Sequence, residues 1–373
     1  MIYFDNAATT NMNQEALNDL FEKSKVCFGN PSTSYSIGVK AKKIITEARQ
    51  KIASLINCST DDLFFTSGGT EGNNIIIQSF LRNSNEKTHI ICSAIEHESI
   101  LDVLRHFVSN NIEITFIKPE KNGTISPLKI EESIKESTKL ICVQLINNEI
   151  GTIQPIEEIA KIAHKFQIKL HVDAVQAVGH IVVDVNKLGV GSLCASAHKF
   201  GGPKGIGFLF SSDHNIGLCF GGGQEKNVKS GTENVPSISS MSVALEQSLT
   251  NIRNKQQHIT EMIEYLKRSF KENPLIVLNT YNDDYSAILS FRVTGVSNEA
   301  LVNYFDMNGI CVSTGSACSG NSFERSHVLK SLGLSDEEID STIRVSLSFE
   351  NTIEECKIFI DLLNKGIALL KRG

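Results

Sequence analysis

The chain has 373 residues, 41% of them apolar and 21% charged, with a formal net charge of −6. That length exceeds one ordinary hydrophobic core and implies two packed domains, and the acidic balance provides no bulk basic face for nucleic acid. No apolar run reaches the ~18–20 residues of a membrane span, and Met1–Thr10 lacks the regions of a secretory leader, so a cytoplasmic protein with no membrane and no direct nucleic-acid partner is expected.

From Asp61 to Phe210, short apolar runs alternate with amphipathic stretches. Strands are predicted at Leu63–Thr66, His89–Cys92, Ile112–Ile117, Leu140–Ile146, Lys169–Val172 and Gly205–Phe210. Helices are predicted at Ser99–Val108 and, behind Pro155, at Ile156–Phe166. The repeated strand–helix–strand order predicts a mainly parallel sheet covered on both faces. Chemistry in such folds collects at loops leaving the strand ends. Ser237–Phe270 reads as one long, largely polar helix leading to a second α/β unit. That unit has predicted strands at Ile276–Leu278, Ala287–Val293, Ile310–Val312 and Ile343–Leu347, with helices at Asn298–Met307 and Thr352–Leu370. The expected domains are residues 14–255 and 256–373, with 1–13 packing near the active site. Nine cysteines show neither C-x-x-C nor zinc-ligand spacing, and reduced, indifferent thiols are expected everywhere except Cys318.

Three loops carry unusual residues. Thr66-Ser67-Gly68-Gly69-Thr70-Glu71-Gly72-Asn73-Asn74 joins a strand to an apolar helical run. Small residues at a helix start leave backbone N–H groups free for an anion, with the Thr70 hydroxyl beside them. An ordinary capped turn reads equally well. In His171-Val172-Asp173-Ala174-Val175-Gln176, Asp173 ends a buried strand, where a carboxylate is costly unless it meets a cation such as a pyridinium nitrogen. A helix N-cap is the commoner alternative. Lys199 follows an apolar strand and precedes Gly201-Gly202-Pro203, which holds it close to backbone. Partial burial favours the neutral amine that captures an aldehyde, though a surface lysine is as good a reading. Together a phosphate cradle, a carboxylate and an aldehyde-capturing lysine, in chain order, are what pyridoxal 5'-phosphate requires.

The chain resembles the NifS/IscS-like cysteine desulfurases, within the class V aminotransferase group of fold-type I pyridoxal-phosphate enzymes. Matching blocks run nearly end to end: Tyr3–Thr10, Phe28–Ser32, Thr66–Glu71, Asn147–Gly151, His198–Lys199, Ser230–Asn234 and Ser313–Ser319. The resemblance implies an α/β transferase with a large, mainly parallel-sheet domain and a smaller C-terminal α/β domain. It implies that Lys199 holds the cofactor aldehyde, Asp173 pairs with the pyridinium nitrogen and Gln176 bonds the phenolic oxygen. His97 would stack on the ring and move protons. Gly69, Thr70, Ser196 and His198 match the phosphate cradle, and Thr232 matches a ligand given by the other subunit of a homodimer. Asn148, beside the cofactor, and Arg344 match ligands of the substrate carboxylate, a task suited to the planar guanidinium fork.

Cys318 lies in Ser313-Thr314-Gly315-Ser316-Ala317-Cys318-Ser319, small polar residues with little to bury and an expected mobility. Alone it reads as an inert surface thiol. The resemblance makes it the nucleophile that takes sulfur from L-cysteine as a persulfide, which could transiently ligate iron. A free thiol has a pKa of ~8.5, so the thiolate needs local assistance. The sulfur acceptor, an iron–sulfur scaffold or a tRNA-thiolation enzyme, stays open. So do a selenocysteine lyase, another class V activity and a non-catalytic sulfur-assembly adaptor. Lys226 and Lys229 stand where many relatives carry arginine, and Tyr35 where histidine is common. The chain ends at Gly373 without the tail that some relatives use to dock a scaffold.

Overall fold

A computed structural model describes residues 1–82, 87–109, 111–280, 285–315 and 325–371. Its strands in chain order are β1 (Ile2–Tyr3), β2 (Leu63–Thr66), β3 (Thr88–Ser93), β4 (Ile112–Ile117), β5 (Thr138–Cys142) and β6 (Lys169–Asp173). They continue with β7 (Ser192–Ser196), β8 (Gly207–Ser211), β9 (Ile276–Leu278), β10 (Ile288–Val293), β11 (Ile310–Cys311) and β12 (Thr342–Ser346). Seven of them form a sheet in the order β2-β8-β7-β6-β5-β3-β4. β3 to β7 run parallel, while β8 is antiparallel to both neighbours. Apolar runs such as His89–Cys92 and Leu63–Thr66 are buried throughout, as strands covered on both faces must be.

Register fixes where the reactive loops emerge. Thr66 and Ser196 both pair with Gly207, and Asp173 pairs with Cys194, so the ends of β2, β6 and β7 lie side by side at one edge. A Cβ at Gly207 would lie 2.3 Å from the Ala195 oxygen and 2.7 Å from Gly68 Cα, so only glycine lets these three segments close up.

The predicted helix over Ser237–Phe270 is two helices, Val235–Leu249 and Ile252–Lys271, parted at Asn251 with φ 55°. The first is not a polar linker. Ser237, Ser239, Ser240, Ser242 and Ser248 are buried. Ser242 and Ser248 donate to the carbonyls of Ser239 and Leu245, and Ser240 donates to Ala16 in the helix Gln14–Val26. Hydroxyls satisfied in this way can sit in a core, which a reading of composition misses.

β9, β10 and β12 form a smaller antiparallel sheet, and β1 pairs in parallel with β11. Apolar side chains gather chiefly in one cluster around the large sheet and another that includes Phe4, Phe270, Phe291, Phe305 and Phe359. The second helix, Ile252–Lys271, packs in the latter through Ile259, Met262, Ile263 and Leu266. Val328, Leu329 and Ile339 return to the large cluster. No helix among the described residues is long and apolar enough to cross a membrane.

Candidate active site

At the common edge of β2, β5, β6 and β7 the chain encloses a cavity of about 340 Å³. Its first wall is the start of the helix Gly69–Arg82. The helix approaches so closely that a Cβ at Gly69 would lie 2.3 Å from Val175 Cγ2, and one at Gly72 would lie 2.8 Å from Cys194 Cβ. Gly69 donates its N–H to Ser196 Oγ at 2.7 Å, and Thr70 stands beside it on the cavity. First-turn N–H groups lack helical partners, so this end of the helix offers donors and positive potential to an anion.

The floor is Asp173, almost wholly buried at the end of β6. Its Oδ1 accepts the Val175 N–H at 2.9 Å and its Oδ2 accepts the Asn73 amide at 2.8 Å. Asn73 also donates to Ser99 Oγ and accepts from His171 and Cys194. His97 caps the helix Glu98–Phe107: its Nδ1 accepts the Ser99 N–H at 3.1 Å and lies 2.8 Å from Ser99 Oγ. Burial pushes the His171 pKa down, which keeps the ring neutral despite Asp173.

Lys199, in the turn Ala197–Lys199 after β7, is buried and donates Nζ to the carbonyls of Ala7 and Ala8 at 2.6 and 2.7 Å. Gln176 donates to the same Ala7 oxygen at 2.8 Å. His198 Nδ1 lies 3.1 Å from Thr9 Oγ1. Burial, with Lys199 and Lys204 nearby, pushes the His198 pKa down to about 4. Arg344, on β12, is 2% exposed and pairs with Asp5 at 2.6 Å. It also donates to the carbonyls of Asn148 and Gly315, while its Nε has no partner among the described residues.

The cavity therefore brings together Gly69, Thr70, Ser196 and His198 at one end, with Lys199, Asp173 and Gln176 below. His97, Asn148 and Arg344 complete its lining. Thr232 is exposed and lines no cavity of its own chain among those containing these residues. Cys318 lies outside the described residues. The sequence reading did not single out Asn73 or the buried acids Glu96 and Glu149, and it did not foresee that Ala7 and Ala8 hold Lys199 through main-chain oxygens. Glu149 accepts from Ser326 Oγ at 2.5 Å, and burial pushes its pKa up.

These residues fit pyridoxal phosphate. Among the described residues Asp173 accepts from two neutral donors and lines the cavity, so a cationic ring N–H would complete it, and the start of the helix Gly69–Arg82 offers backbone donors to a phosphate. A lysine amine, a buried carboxylate and an anion-ready helix start around one cavity define a pyridoxal-phosphate enzyme.

Comparison with known proteins narrows the class. The model of the family "Aminotransferase class-V" matches residues 2–359. A cysteine desulfurase IscS of Dictyoglomus turgidum is 36% identical over 99% of this chain and 95% of its own. A solved NifS-like protein superposes with a TM-score of 0.93 at 29% identity, covering 99% of this chain and 100% of its own. Another structure, described as SspA in complex with cysteine, is 31% identical with a TM-score of 0.83 over 93% of this chain and 99% of its own. The chain belongs to the pyridoxal-phosphate-dependent cysteine desulfurases of the class V aminotransferase family.

Proposed function

We propose that the cavity removes sulfur from L-cysteine, releasing L-alanine and leaving a persulfide on Cys318 for an acceptor protein. The observation that carries this reading is the placement of Lys199, Asp173 and Arg344 around one cavity. When bound, pyridoxal phosphate supplies an aldehyde for amines and a ring that absorbs carbanion charge. Gly69, Thr70, Ser196 and His198 would hold its phosphate, Asp173 its ring nitrogen and Gln176 its phenolic oxygen.

Arg344, with Asn148 beside it, binds the substrate carboxylate and so turns the α-hydrogen toward Lys199. The Lys199 amine removes that proton and returns one to the product, and His97 carries protons on its other ring nitrogen because Nδ1 is occupied by Ser99. The Cys318 thiolate then forms a bond to the substrate sulfur. The carbon–sulfur bond breaks, its electron pair stays on carbon and is protonated, and the sulfur departs on Cys318.

A homodimer fits the surface. Phe21, Val26, Phe28, Tyr35, Val39 and Phe220 are large apolar side chains left exposed in the single chain. A second copy covering some of these side chains would let Thr232 serve its neighbour's phosphate. The acceptor is an iron–sulfur scaffold or a tRNA-thiolation enzyme, the compartment cytoplasmic, and the domains 14–255 and 256–373.

Changing Cys318→Ser tests the reading, because a hydroxyl is a far weaker nucleophile toward sulfur than a thiolate. The variant should keep the visible band of bound cofactor and lose both protein-bound sulfur and sustained alanine formation. Single-turnover alanine at the wild-type rate would replace the proposal with a persulfide-free, selenocysteine-lyase-like activity.

A further inference from the structure

Asn73 has none of the roles above, yet it is fully buried and its amide makes four hydrogen bonds. Nδ2 donates to Asp173 Oδ2 and to Ser99 Oγ, each at 2.8 Å. Oδ1 accepts from His171 Nε2 at 2.8 Å and Cys194 Sγ at 2.9 Å. A primary amide has two donor hydrogens and two acceptor lone pairs, so its capacity is exhausted. The amide cannot turn over, because its NH₂ would then face the Cys194 thiol and its oxygen would face a carboxylate.

The consequences spread along both arms. Asp173 Oδ2 must accept from Asn73, as Oδ1 must from Val175, so both oxygens are held in place as acceptors. Ser99 Oγ, having accepted from Asn73, has its own hydrogen left for His97 Nδ1 at 2.8 Å. That nitrogen also accepts the Ser99 N–H, so the proton of a neutral His97 resides on Nε2. Glu96, His171 and Cys194 all feel the Asp173 charge, and burial favours the neutral form of each near neutral pH.

We propose that Asn73 is a positioning residue that couples the two arms of the site: it holds the Asp173 carboxyl oxygens in place for the cofactor ring and, through the Ser99 hydroxyl, helps to hold the His97 imidazole with its proton on Nε2. The proposal rests on the reading of Asp173 as the partner of the ring nitrogen.

The test is Asn73→Asp, which keeps the shape and sets a second carboxyl against Asp173, so that the pair must share a proton. Apo protein titrated with pyridoxal phosphate should show an affinity reduced about tenfold or more, and the reloaded variant should show a displaced pH midpoint of its visible band. A packing defect alone would lower the melting temperature without moving that midpoint. Ser99→Ala removes the hydroxyl link between Asn73 and the imidazole and keeps both the Asn73–Asp173 bond and the Ser99 N–H on Nδ1. It should bind cofactor within about twofold of wild type and turn over cysteine about tenfold more slowly at unchanged KM, with a shifted kcat–pH profile. A folded Asn73→Asp protein with wild-type affinity and midpoint overturns the proposal. Should that variant not fold, an unaltered kcat and kcat–pH profile in Ser99→Ala overturns it. Failure of the wild-type apo protein to take up pyridoxal phosphate would instead defeat the functional reading beneath it.

Discussion

Glu96 stands next to His97 and is completely buried. Its Oε1 accepts the Gln144 N–H at 2.8 Å, and the Ser93 hydroxyl also interacts with the carboxyl. Burial, with the Asp173 charge nearby, pushes its pKa up to about 8, against the stabilising bonds from Gln144 and Ser93. In an unfolded chain the same carboxyl titrates near ~4.3. Between those values the folded protein keeps a proton that the unfolded chain has lost, so this group makes stability fall as pH rises through the window and level off above it. Glu96→Gln removes the ionisation and keeps the shape. Urea midpoints of the apo proteins at pH 5 and pH 8 should show the variant gaining on the order of 2 kcal/mol relative to wild type at the higher pH. Parallel profiles would mean that Glu96 ionises in the fold without penalty. At this scale the sequence was legible where a reactive group ends a strand, as Asp173 does, or follows one within a turn, as Lys199 does. Asn73 was hidden because an asparagine beside glycine reads as a solvated helix face. The available signal was Gly69, Gly72, Asn73 and Ile76 sharing one face, two of them small enough to admit a neighbouring strand.

Among elements, the segment before Thr232 is held in an unusual way. Glu225, Lys226 and Asn227 take φ values of 46°, 55° and 69°, three successive non-glycine residues in the left-handed region. Such backbone persists only where its surroundings over-determine it. The surroundings here are the Glu225 carboxylate, which receives both Arg49 Nη atoms at 2.6 and 2.9 Å and the Phe65 N–H at 2.8 Å. Arg49 in turn lies 4.4 Å over the Phe65 ring. The lysines that depart from the family's arginines also find acids: Lys226 pairs with Asp61 at 2.6 Å and Lys229 with Glu71 at 2.9 Å. Arg49→Met should cost about 3–5 kcal/mol, because it leaves a buried carboxylate without its cation beside strained backbone. Arg49→Met with Glu225→Gln should recover part of that loss. A single-variant cost under about 1 kcal/mol in urea unfolding would show that the strain is held elsewhere. None of this was readable beforehand, since a salt bridge between residues 49 and 225 leaves no local pattern. The parallel strands were readable because burial on both faces writes continuous apolar runs.

Across the whole molecule, the first ten residues are one of the ties between the two main apolar clusters. β1 extends the small unit by pairing with β11, and Phe4 packs in the second apolar cluster. A few residues later Thr9 and Thr10 bond His198, and Ala7 and Ala8 hold Lys199 on the large unit. The motif was legible as a resemblance but not as a tie, because alanines acting through carbonyls announce nothing in their side chains. Asp5 is the charged link in this tie, its carboxylate 2.6 Å from a guanidinium on Arg344 that is 2% exposed. Burying that cation is costly, and the carboxylate offsets the cost only while both are present. Asp5→Asn should therefore lower stability by about 2–4 kcal/mol in urea unfolding. The transition is best followed by circular dichroism, as the chain has no tryptophan. Asp5→Leu combined with Arg344→Met removes both charges and should recover most of the loss, giving a coupling energy of about 1.5 kcal/mol or more in the double-mutant cycle. Recovered stability should not bring back cysteine turnover, because the double variant has no fork for the substrate carboxylate. Additive effects of the two substitutions would show that Asp5 and Arg344 are neighbours without being partners. Restored turnover in the double variant would remove Arg344 from substrate binding and leave it a purely structural cation between the two units.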